Sequence, residues 1–209
     1  KVREDLKTQA LAERSLSPEQ QAAFEHLVSE GDLKNVIGYA GSGKSYLLGA
    51  AREAWEKQGY QVHGVALSGI AAENLEAGSG IDSRTIASRA YYWDKGEQLL
   101  TANDILVVDE AGMIGSRQLN RLLSEAEKHH AKVVLVGDPY QLQAIEAGAA
   151  FRAISDQTPT VSLTEIRRQD TPWQKQATKD FALGHTQAAM NAYDKHNNLH
   201  EFVTESEAK

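Results

Sequence analysis

GYAGSGKS, residues 38–45, is the stretch that decides the fold of this chain. It matches the pattern G-x-x-x-x-G-K-S/T and directly follows the short strand-like run 35–37, so it lies where a strand ends. A helix is predicted to begin within it, because apolar residues recur at helical spacing over 47–55. In such a loop the glycines let consecutive backbone N–H groups point at phosphate oxygens, and the helix N-terminus adds a positive dipole end. The sequence therefore predicts a phosphate-binding loop between a strand and a helix.

The residues of this loop have predicted roles in holding ATP and Mg²⁺. Lys44 is expected to reach the β and γ phosphates, and Ser45 is expected to ligate Mg²⁺. The alternative is a glycine-rich turn that binds nothing. The other members of the predicted nucleotide-binding set within the loop and its helix are Gly38, Ala40, Gly41, Ser42, Gly43 and Tyr46.

Composition restricts the class of protein. The 209 residues include 22 basic and 29 acidic side chains, a net charge of −7, which is unusual for a dedicated duplex-DNA binder. Any nucleic-acid contact is therefore expected in a local groove. The absence of cysteine excludes a disulfide framework and fits a reducing cytoplasm. The apolar runs are too short for a membrane span, and no signal-peptide pattern opens the chain. Since the first residue is Lys1, we expect a piece of a larger protein.

The order of predicted elements indicates an α/β fold. Strand-like runs occur around Val36 and over residues 60–66, 105–108, 133–136 and 161–163, with helical patterns between them. These strands are apolar along their whole length rather than on alternate residues. Strands of that kind belong to a mostly parallel sheet covered by helices on both faces.

An acidic pair closes the second predicted element of the phosphate site, DILVVDEA at residues 104–111. Ligands of open α/β sheets collect at the carboxyl ends of the strands. Asp109 is therefore expected to hold the Mg²⁺ shell, and Glu110 to orient and deprotonate an attacking water. The alternative is an acidic pair that only caps the next turn.

A third apolar strand ends in polar residues within VVLVGDPYQL, residues 133–142. Gln141 is placed to hydrogen-bond a γ-phosphate or the attacking water. The alternative is that residues 137–140 form a β-turn and that Gln141 caps a helix.

These three elements, in this order, resemble the first RecA-like motor domain of superfamily 1 helicases of the RecD-like branch. The resemblance covers most of residues 16–170 and implies a RecA-like P-loop NTPase. It assigns Gln20 to the adenine, although Gln20 also completes a capping box with Ser17 and its role can end there. It also implies that Arg168, in LTEIRRQ at 163–169, touches the γ-phosphate. Arg167 stands where relatives usually carry an aromatic residue, so the two arginines can exchange roles.

The resemblance further implies contacts with single-stranded DNA. ALSGIAAENL, residues 66–75, is similar to a helicase segment that grips the strand, and there Ser68 and Gly69 offer hydroxyl and N–H groups to a DNA phosphate. Thr85 corresponds to the next DNA-contact segment. The aromatic triplet 91–93 can either stack on bases or pack within the protein.

Longer stretches of the sequence resemble the helicase part of TraA-type conjugative relaxases. These stretches are SGIDSRTIAS, VVDEAGMIGSRQL and VGDPYQLQAIEAGAAFRAI. This resemblance implies a nicking relaxase domain and a second RecA-like domain outside the 209 residues. It divides the chain into a polar lead-in, residues 1–15, the first motor domain, 16–170, and a helical tail, 171–209, where the second motor domain can begin. The predicted function is an ATP-dependent DNA helicase motor. The alternatives are a P-loop ATPase switch that does not act on DNA, and a DNA- or partner-binding module with a vestigial ATP site.

Overall fold

The computed structural model describes residues 1–39, 41–138, 149–165, 171–182, 184–196 and 198. Helices and strands alternate along most of this part of the chain. The helices are α1 Glu4–Glu13, α2 Pro18–Val28, α3 Lys44–Lys57, α4 Gly69–Ser79, α5 Ile86–Asp94, α6 Ser116–Lys128, α7 Ala149–Gln157, α8 Pro172–Ala182 and α9 Thr186–Lys195. The strands are β1 Leu33–Gly38, β2 Gln61–Ala66, β3 Asp82–Thr85, β4 Asp104–Val108, β5 Lys132–Gly137 and β6 Thr160–Leu163.

The strands form one parallel sheet in the order β3-β2-β4-β5-β1-β6. Strand β5 lies between β1, which leads into the phosphate loop, and β4, which leads into the acidic pair. Because the strands are parallel, all their carboxyl ends meet at one edge of the sheet, where ligands of α/β proteins bind. The predicted α/β fold with a parallel sheet is confirmed.

Helices cover both faces of the sheet, and the buried strand residues alternate between two apolar cores. One core joins the sheet to the helices α1 to α4 and includes Val107, Val134 and Val136. The other joins it to α5, α6 and α7 and includes Leu106 and Leu135. Burial on both faces explains why these strands read as continuous apolar runs in the sequence.

The N-terminal residues differ from the solvated lead-in that we expect from their polar composition. They form α1, and Val2 and Ala10 lie in the core beside α3. Lys7 is buried as well, and its ammonium lies 2.9 Å from carboxylate oxygens of Glu4 and of Glu25. A lysine can bury its aliphatic stem while its charge is paired, so this helix has little apolar signature in the sequence.

Strand β3 also escapes the sequence analysis, because Asp-Ser-Arg-Thr contains no apolar residue. It pairs only with β2 among the described strands and lies at the edge of the sheet, where exposure permits polar side chains. The predicted start of α2 is confirmed: Ser17 Oγ accepts a hydrogen bond from the Gln20 backbone, and Gln20 Oε1 accepts one from Ser17 N.

The chain divides into two compact units, Lys1–Glu165 and Ile166–Lys209. The described part of the second unit is the helix pair α8 and α9, held by aromatic side chains. Trp173 stacks on His196 at 4.1 Å between ring centroids and meets Tyr193 edge-on at 5.3 Å. Within the described residues, no helix is both long and apolar enough to cross a lipid bilayer.

Candidate nucleotide-binding site

The phosphate loop joins β1 to α3 through backbone conformations that suit glycine. Gly41 and Gly43 have φ values of 80° and 82°, in the left-handed region that L side chains rarely adopt. At Gly38 the restriction is space, because a Cβ there would come within 2.7 Å of Ser42 Oγ. Ala40, another member of the predicted nucleotide-binding set, lies outside the described residues.

Lys44 is directed back over its own loop. Its ammonium donates hydrogen bonds to the backbone oxygens of Gly38, at 2.8 Å, and Tyr39, at 2.9 Å. Its positive charge also acts on the acidic pair, because it lowers the pKa of both Asp109 and Glu110 against the opposing effect of burial. The structure therefore brings the predicted phosphate-binding lysine and the predicted acids into one electrostatic site.

Ser42 carries a buried hydroxyl with no hydrogen-bond partner among the described residues. The residue is 2% exposed, and within that part of the chain its Oγ meets no acceptor or donor. A buried polar group of this kind costs free energy unless something pairs with it. A phosphate oxygen in the loop would supply that partner, so the orphaned hydroxyl fits a bound phosphate.

The acidic pair is held at the end of a fully buried strand. The backbone N of Asp109 donates to Val65 O at 3.0 Å, and Asp109 Oδ1 accepts a hydrogen bond from the backbone N of Glu110 at 2.9 Å. Glu110 itself has a φ of 53°, in the left-handed region. Such a conformation in a non-glycine residue marks a strained position that the surrounding structure holds in place.

Burial sets the acid strength of both carboxyls. It is the main reason that the pKa of Asp109 lies above its usual value. Burial also raises the pKa of Glu110, and the neighbouring charge of Asp109 raises it further. A raised pKa makes the Glu110 carboxylate a stronger base, which suits proton abstraction.

Gly137 allows the acidic turn to pack closely on the sheet. A Cβ at Gly137 would lie 2.8 Å from the backbone N of Gly112 and 3.1 Å from that of Ala111. The short 3-10 turn Ala111–Met113 follows Glu110 directly. The absent side chain at the end of β5 therefore helps to define where Glu110 lies, and no pattern in the sequence signals this role.

Ser45 lies in the first turn of α3 and faces Gly78 of α4, where a Cβ would approach Ser45 Cβ to 2.7 Å. Among the described residues no cluster of three or more histidine, cysteine or acidic side chains could hold a metal. One hydroxyl and one carboxylate, from Ser45 and Asp109, suit Mg²⁺, which keeps several waters and binds substrate phosphates.

Gln20 links the capping box to the phosphate loop. The side chain is buried, its Oε1 accepts the hydrogen bond from Ser17 N, and its Nε2 lies 3.5 Å from Gly43 O. It thus lies beside the loop as well as capping α2, and the adenine contact stays a prediction. Tyr46 is 40% exposed, and Arg14 lies over its ring at 5.0 Å.

The predicted DNA contacts lie at the same edge of the sheet, after β2 and β3. Ser68 and Thr85 are the N-caps of α4 and α5, and their hydroxyl oxygens accept hydrogen bonds from Ala71 N and Ser88 N, both at 3.1 Å. Among the described residues, neither O–H donates a hydrogen bond, so DNA contact by these hydroxyls stays a prediction. Gly69 occupies the first turn of α4.

The aromatic triplet divides between exposed and packed residues. Tyr91 is 55% exposed, whereas Trp93 is 7% exposed and donates its indole N–H to Gln98 O at 3.1 Å. Tyr92 lies under the guanidinium of Arg84 at 5.6 Å. Packing therefore accounts for Trp93. Tyr91 is the most exposed of the three, and the Lys95 ammonium lies 4.3 Å from its ring centroid, so base stacking stays a prediction.

Three further residues that the sequence predicts for this site have no structural description. Gln141, Arg167 and Arg168 lie outside the described residues. Their contacts with a γ-phosphate stay predictions from the sequence.

Comparison with known proteins identifies relatives that share much of this sequence. The chain is 49% identical over 178 residues to the conjugal transfer protein TraA of Rhizobium radiobacter, a match that covers 85% of this chain and 16% of that protein. It is 33% identical over 162 residues to the ATP-dependent RecD2 DNA helicase of Deinococcus radiodurans, covering 76% of this chain and 22% of that protein. The chain thus spans less than a quarter of the length of these relatives.

Solved structures share the fold. Pif1 of Bacteroides sp. in complex with ADP-AlF4 superposes with a TM-score of 0.58 at 21% identity, covering 80% of this chain and 46% of that one. This likeness confirms the fold. The sequence relatives confirm the resemblance to RecD-like helicases and to TraA-type proteins. The profile of the AAA domain matches residues 15–204, and the chain therefore belongs to the AAA domain family.

Proposed function

We propose that this chain is the ATP-binding and hydrolysing motor domain of a DNA helicase, within a conjugative relaxase-helicase that acts on single-stranded DNA. The observation that carries the proposal is that the phosphate loop with Lys44 follows β1, and the buried pair Asp109 and Glu110 follows β4, at the same carboxyl edge of one parallel sheet. The charge of Lys44 also lowers the pKa of both acids. The likeness to a conjugal transfer protein and to an ATP-dependent DNA helicase supports the DNA substrate.

The binding step uses groups that the loop already directs inward. Backbone N–H groups, the Ser42 hydroxyl and the N-terminus of α3 surround the phosphates, and Lys44 exchanges the oxygens of Gly38 and Tyr39 for phosphate oxygens. Ser45 and Asp109 would hold Mg²⁺, which neutralises charge on the β and γ phosphates when bound.

The hydrolytic step follows from the position of Glu110. Its carboxylate accepts a proton from water while the water oxygen attacks the γ-phosphorus in line, and the bond to the ADP oxygen breaks. Little covalent chemistry is asked of the protein, so the rate depends mainly on positioning and on charge stabilisation. Gln141 and Arg168 complete this proposal, as the residues that contact the attacking water and the γ-phosphate.

The remaining parts of the proposal concern partners. Residues 16–170 form the first motor domain, and the tail 171–209 leads toward a second RecA-like domain in a longer chain that also carries the relaxase. Single-stranded DNA passes along the edge formed by Ser68, Gly69 and Thr85. The protein acts in the cytoplasm.

The test is ATPase activity, with and without single-stranded DNA, on this fragment and on a longer chain. We expect DNA to stimulate turnover in the longer chain, and Lys44→Ala to abolish it while the exposed-site variant Arg121→Gln does not. Turnover that is indifferent to DNA would favour an ATPase switch. A wild-type chain that fails to bind nucleotide in a direct titration would favour a vestigial site.

A further inference from the structure

A polar cavity of about 360 Å³ lies away from the nucleotide site. We name it the arginine pocket. Asp82 and Asp104 are the first residues of β3 and β4, so this pocket opens near the amino ends of the strands, opposite the phosphate loop. The polar side chains that carry the argument are His63, Asp82, Arg84, Arg89, Gln98 and Asp104.

Arg89 is the unusual member of this pocket. It projects from α5, it is 4% exposed, and no hydrogen bond or ion pair joins it to any residue in the part of the chain that the structure describes. Its guanidinium lies over the ring of Trp93, with 5.9 Å between the guanidinium carbon and the ring centroid. Its Nε–H is buried and unpaired among the described residues, and leaving such a donor unsatisfied in a buried place is costly.

The carboxylates of the pocket do not supply the missing acceptor. Asp104 Oδ1 lies 2.8 Å from His63 Nε2, and Asp104 Oδ2 accepts hydrogen bonds from the backbone N and the hydroxyl of Thr101 at 2.6 and 2.7 Å. The side chain of Asp82 is 69% exposed and lies 3.9 Å from Arg84. Asp104 is therefore engaged elsewhere, and Asp82 is largely turned toward solvent and makes only a long ion pair with Arg84.

A second cation faces the same space. Arg84 lines the pocket, its side chain is 30% exposed, and it donates to Gln98 Oε1 at 2.6 Å. Burial lowers the pKa of Arg89 and the charge of Arg84 lowers it further, against the smaller effects of Asp104 and Asp82. The guanidinium nevertheless stays protonated at neutral pH. Two guanidinium groups thus line one cavity, where Asp82 and Asp104 offset their charge only in part, and an anion in contact with both arginines would stabilise them.

We propose that the arginine pocket binds a phosphate-type oxyanion between Arg84 and Arg89. The planar fork of an arginine matches the oxygens of a phosphate in a bidentate manner, and the cavity is large enough for a small ligand. This chemistry is common to free inorganic phosphate and to a backbone phosphodiester of single-stranded DNA. The inference is independent of ATP hydrolysis at the phosphate loop.

The experiment follows the Nε–H signal of Arg89 and the indole N–H signal of Trp93 by ¹H–¹⁵N NMR during titration with inorganic phosphate. These signals are local to the arginine pocket, so phosphate bound at the loop does not imitate the result. We expect saturable shifts of both signals in the wild-type chain and in Arg121→Gln, where an exposed arginine is removed. Shifts confined to the phosphate loop would overturn the proposal.

Two variants make the test specific. In Arg89→Gln the shift of Trp93 should disappear, or its midpoint should rise at least about tenfold, because a charge-assisted bidentate contact is lost. If that variant fails to fold, Arg84→Gln at the mouth of the pocket gives the same readout and should weaken binding in the same direction. Undiminished affinity in a folded variant of either arginine would contradict the assignment.

A parallel titration with a short oligothymidylate distinguishes the two sources of phosphate. Shifts with inorganic phosphate alone identify a free-anion site. Shifts with the oligonucleotide that weaken steeply as salt rises identify a contact with the DNA backbone. If neither ligand moves the Arg89 and Trp93 signals, the pocket is not an anion site.

Discussion

Lys44 is the single residue on which nucleotide affinity should depend most. Replacing it with alanine removes the cation that faces the β and γ phosphates, and we expect Mg-ATP affinity to fall by about tenfold or more, as for the loss of a charge-assisted contact. A direct nucleotide titration measures this, with Arg121→Gln as a charge-matched control on the exposed surface. Unchanged affinity in Lys44→Ala would count against the site.

Glu110 should affect turnover rather than binding. Glutamine keeps the shape of the side chain but cannot take a proton from water, so Glu110→Gln should slow hydrolysis by about a hundredfold or more. Nucleotide affinity should stay nearly constant. Single-turnover hydrolysis in a longer chain provides the measurement, and Glu127→Gln on the exposed face of α6 is the matched control. Equal rates for Glu110→Gln and the wild type would exclude the general base.

Lys132 predicts a pH dependence of stability. Burial first, and then the charge of Lys34, lower its pKa to about 8 from 10.5, against the smaller effect of Asp32. Between these two values the unfolded chain binds one more proton than the folded chain, so the contribution of Lys132 to the free energy of unfolding rises with pH. The destabilisation that comes from burying the charged Lys132 ammonium is therefore complete below about pH 8 and relieved above about pH 10.

Lys132→Met should accordingly reduce this rise, by about 1 to 3 kcal/mol in the difference from the wild type. The variant also loses the hydrogen bond from Lys132 Nζ to Ser29 O, so the slope of stability against pH is the quantity to compare, not its value at one pH. Urea unfolding at several pH values gives the comparison, with Lys128→Met, whose side chain is 66% exposed, as the control. Parallel curves for Lys132→Met and the wild type would disprove the linkage.

Among the elements, β5 and the turn after Glu110 depend on Gly137. Alanine there places a methyl group against the backbone N of Gly112, so Gly137→Ala should cost about 1 to 3 kcal/mol of stability through overpacking. Displacement of the turn should also weaken Mg²⁺-dependent nucleotide binding. Gly115→Ala makes the same chemical change where no atom lies within 4 Å and φ is −65°. Equal stability of the two variants would show that the turn adapts freely.

The elements that the sequence predicts are those whose burial leaves a local pattern. The buried strand β4 is an uninterrupted apolar run that ends at the acidic pair, and the capping box of α2 is readable from Ser17 and Gln20. Strand β3 has no apolar residue, and α1 buries a lysine, so neither has the expected period. Their positions come from tertiary pairing and packing rather than from local composition.

The site shows the same division. The phosphate loop and the acids can be predicted because each chemistry needs its residue types at a fixed spacing. Three other features cannot, because each is defined by neighbours distant in sequence. They are the strained backbone of Glu110 and, among the described residues, the unpaired hydroxyl of Ser42 and the unpaired Nε–H of Arg89.

For the whole molecule, we expect these 209 residues to bind Mg-ATP, to hydrolyse it slowly and to unwind no DNA. An arginine supplied in trans is worth about 10³ to 10⁵ in rate, and in the proposed helicase it comes from a second motor domain. Translocation also needs two domains that open and close on DNA as the nucleotide turns over. Steady-state ATPase and strand-separation assays on the isolated chain provide the measurement. Robust DNA-stimulated turnover by this fragment alone would contradict the two-domain mechanism.

The two carbonyl oxygens that accept hydrogen bonds from Lys44 can also pair with it again when a nucleotide leaves the loop. A departing nucleotide leaves behind an ammonium with neutral acceptors 2.8 and 2.9 Å away, so release does not have to wait for water to solvate a stranded cation. Exchanging these neutral acceptors for phosphate oxygens therefore offsets part of the free energy that nucleotide binding gains, which moderates the affinity. A moderate nucleotide affinity favours repeated turnover, because product release limits the rate of many enzymes. Between one turnover and the next, the backbone carbonyls of the loop thus accept the hydrogen bonds of Lys44 in place of the phosphate.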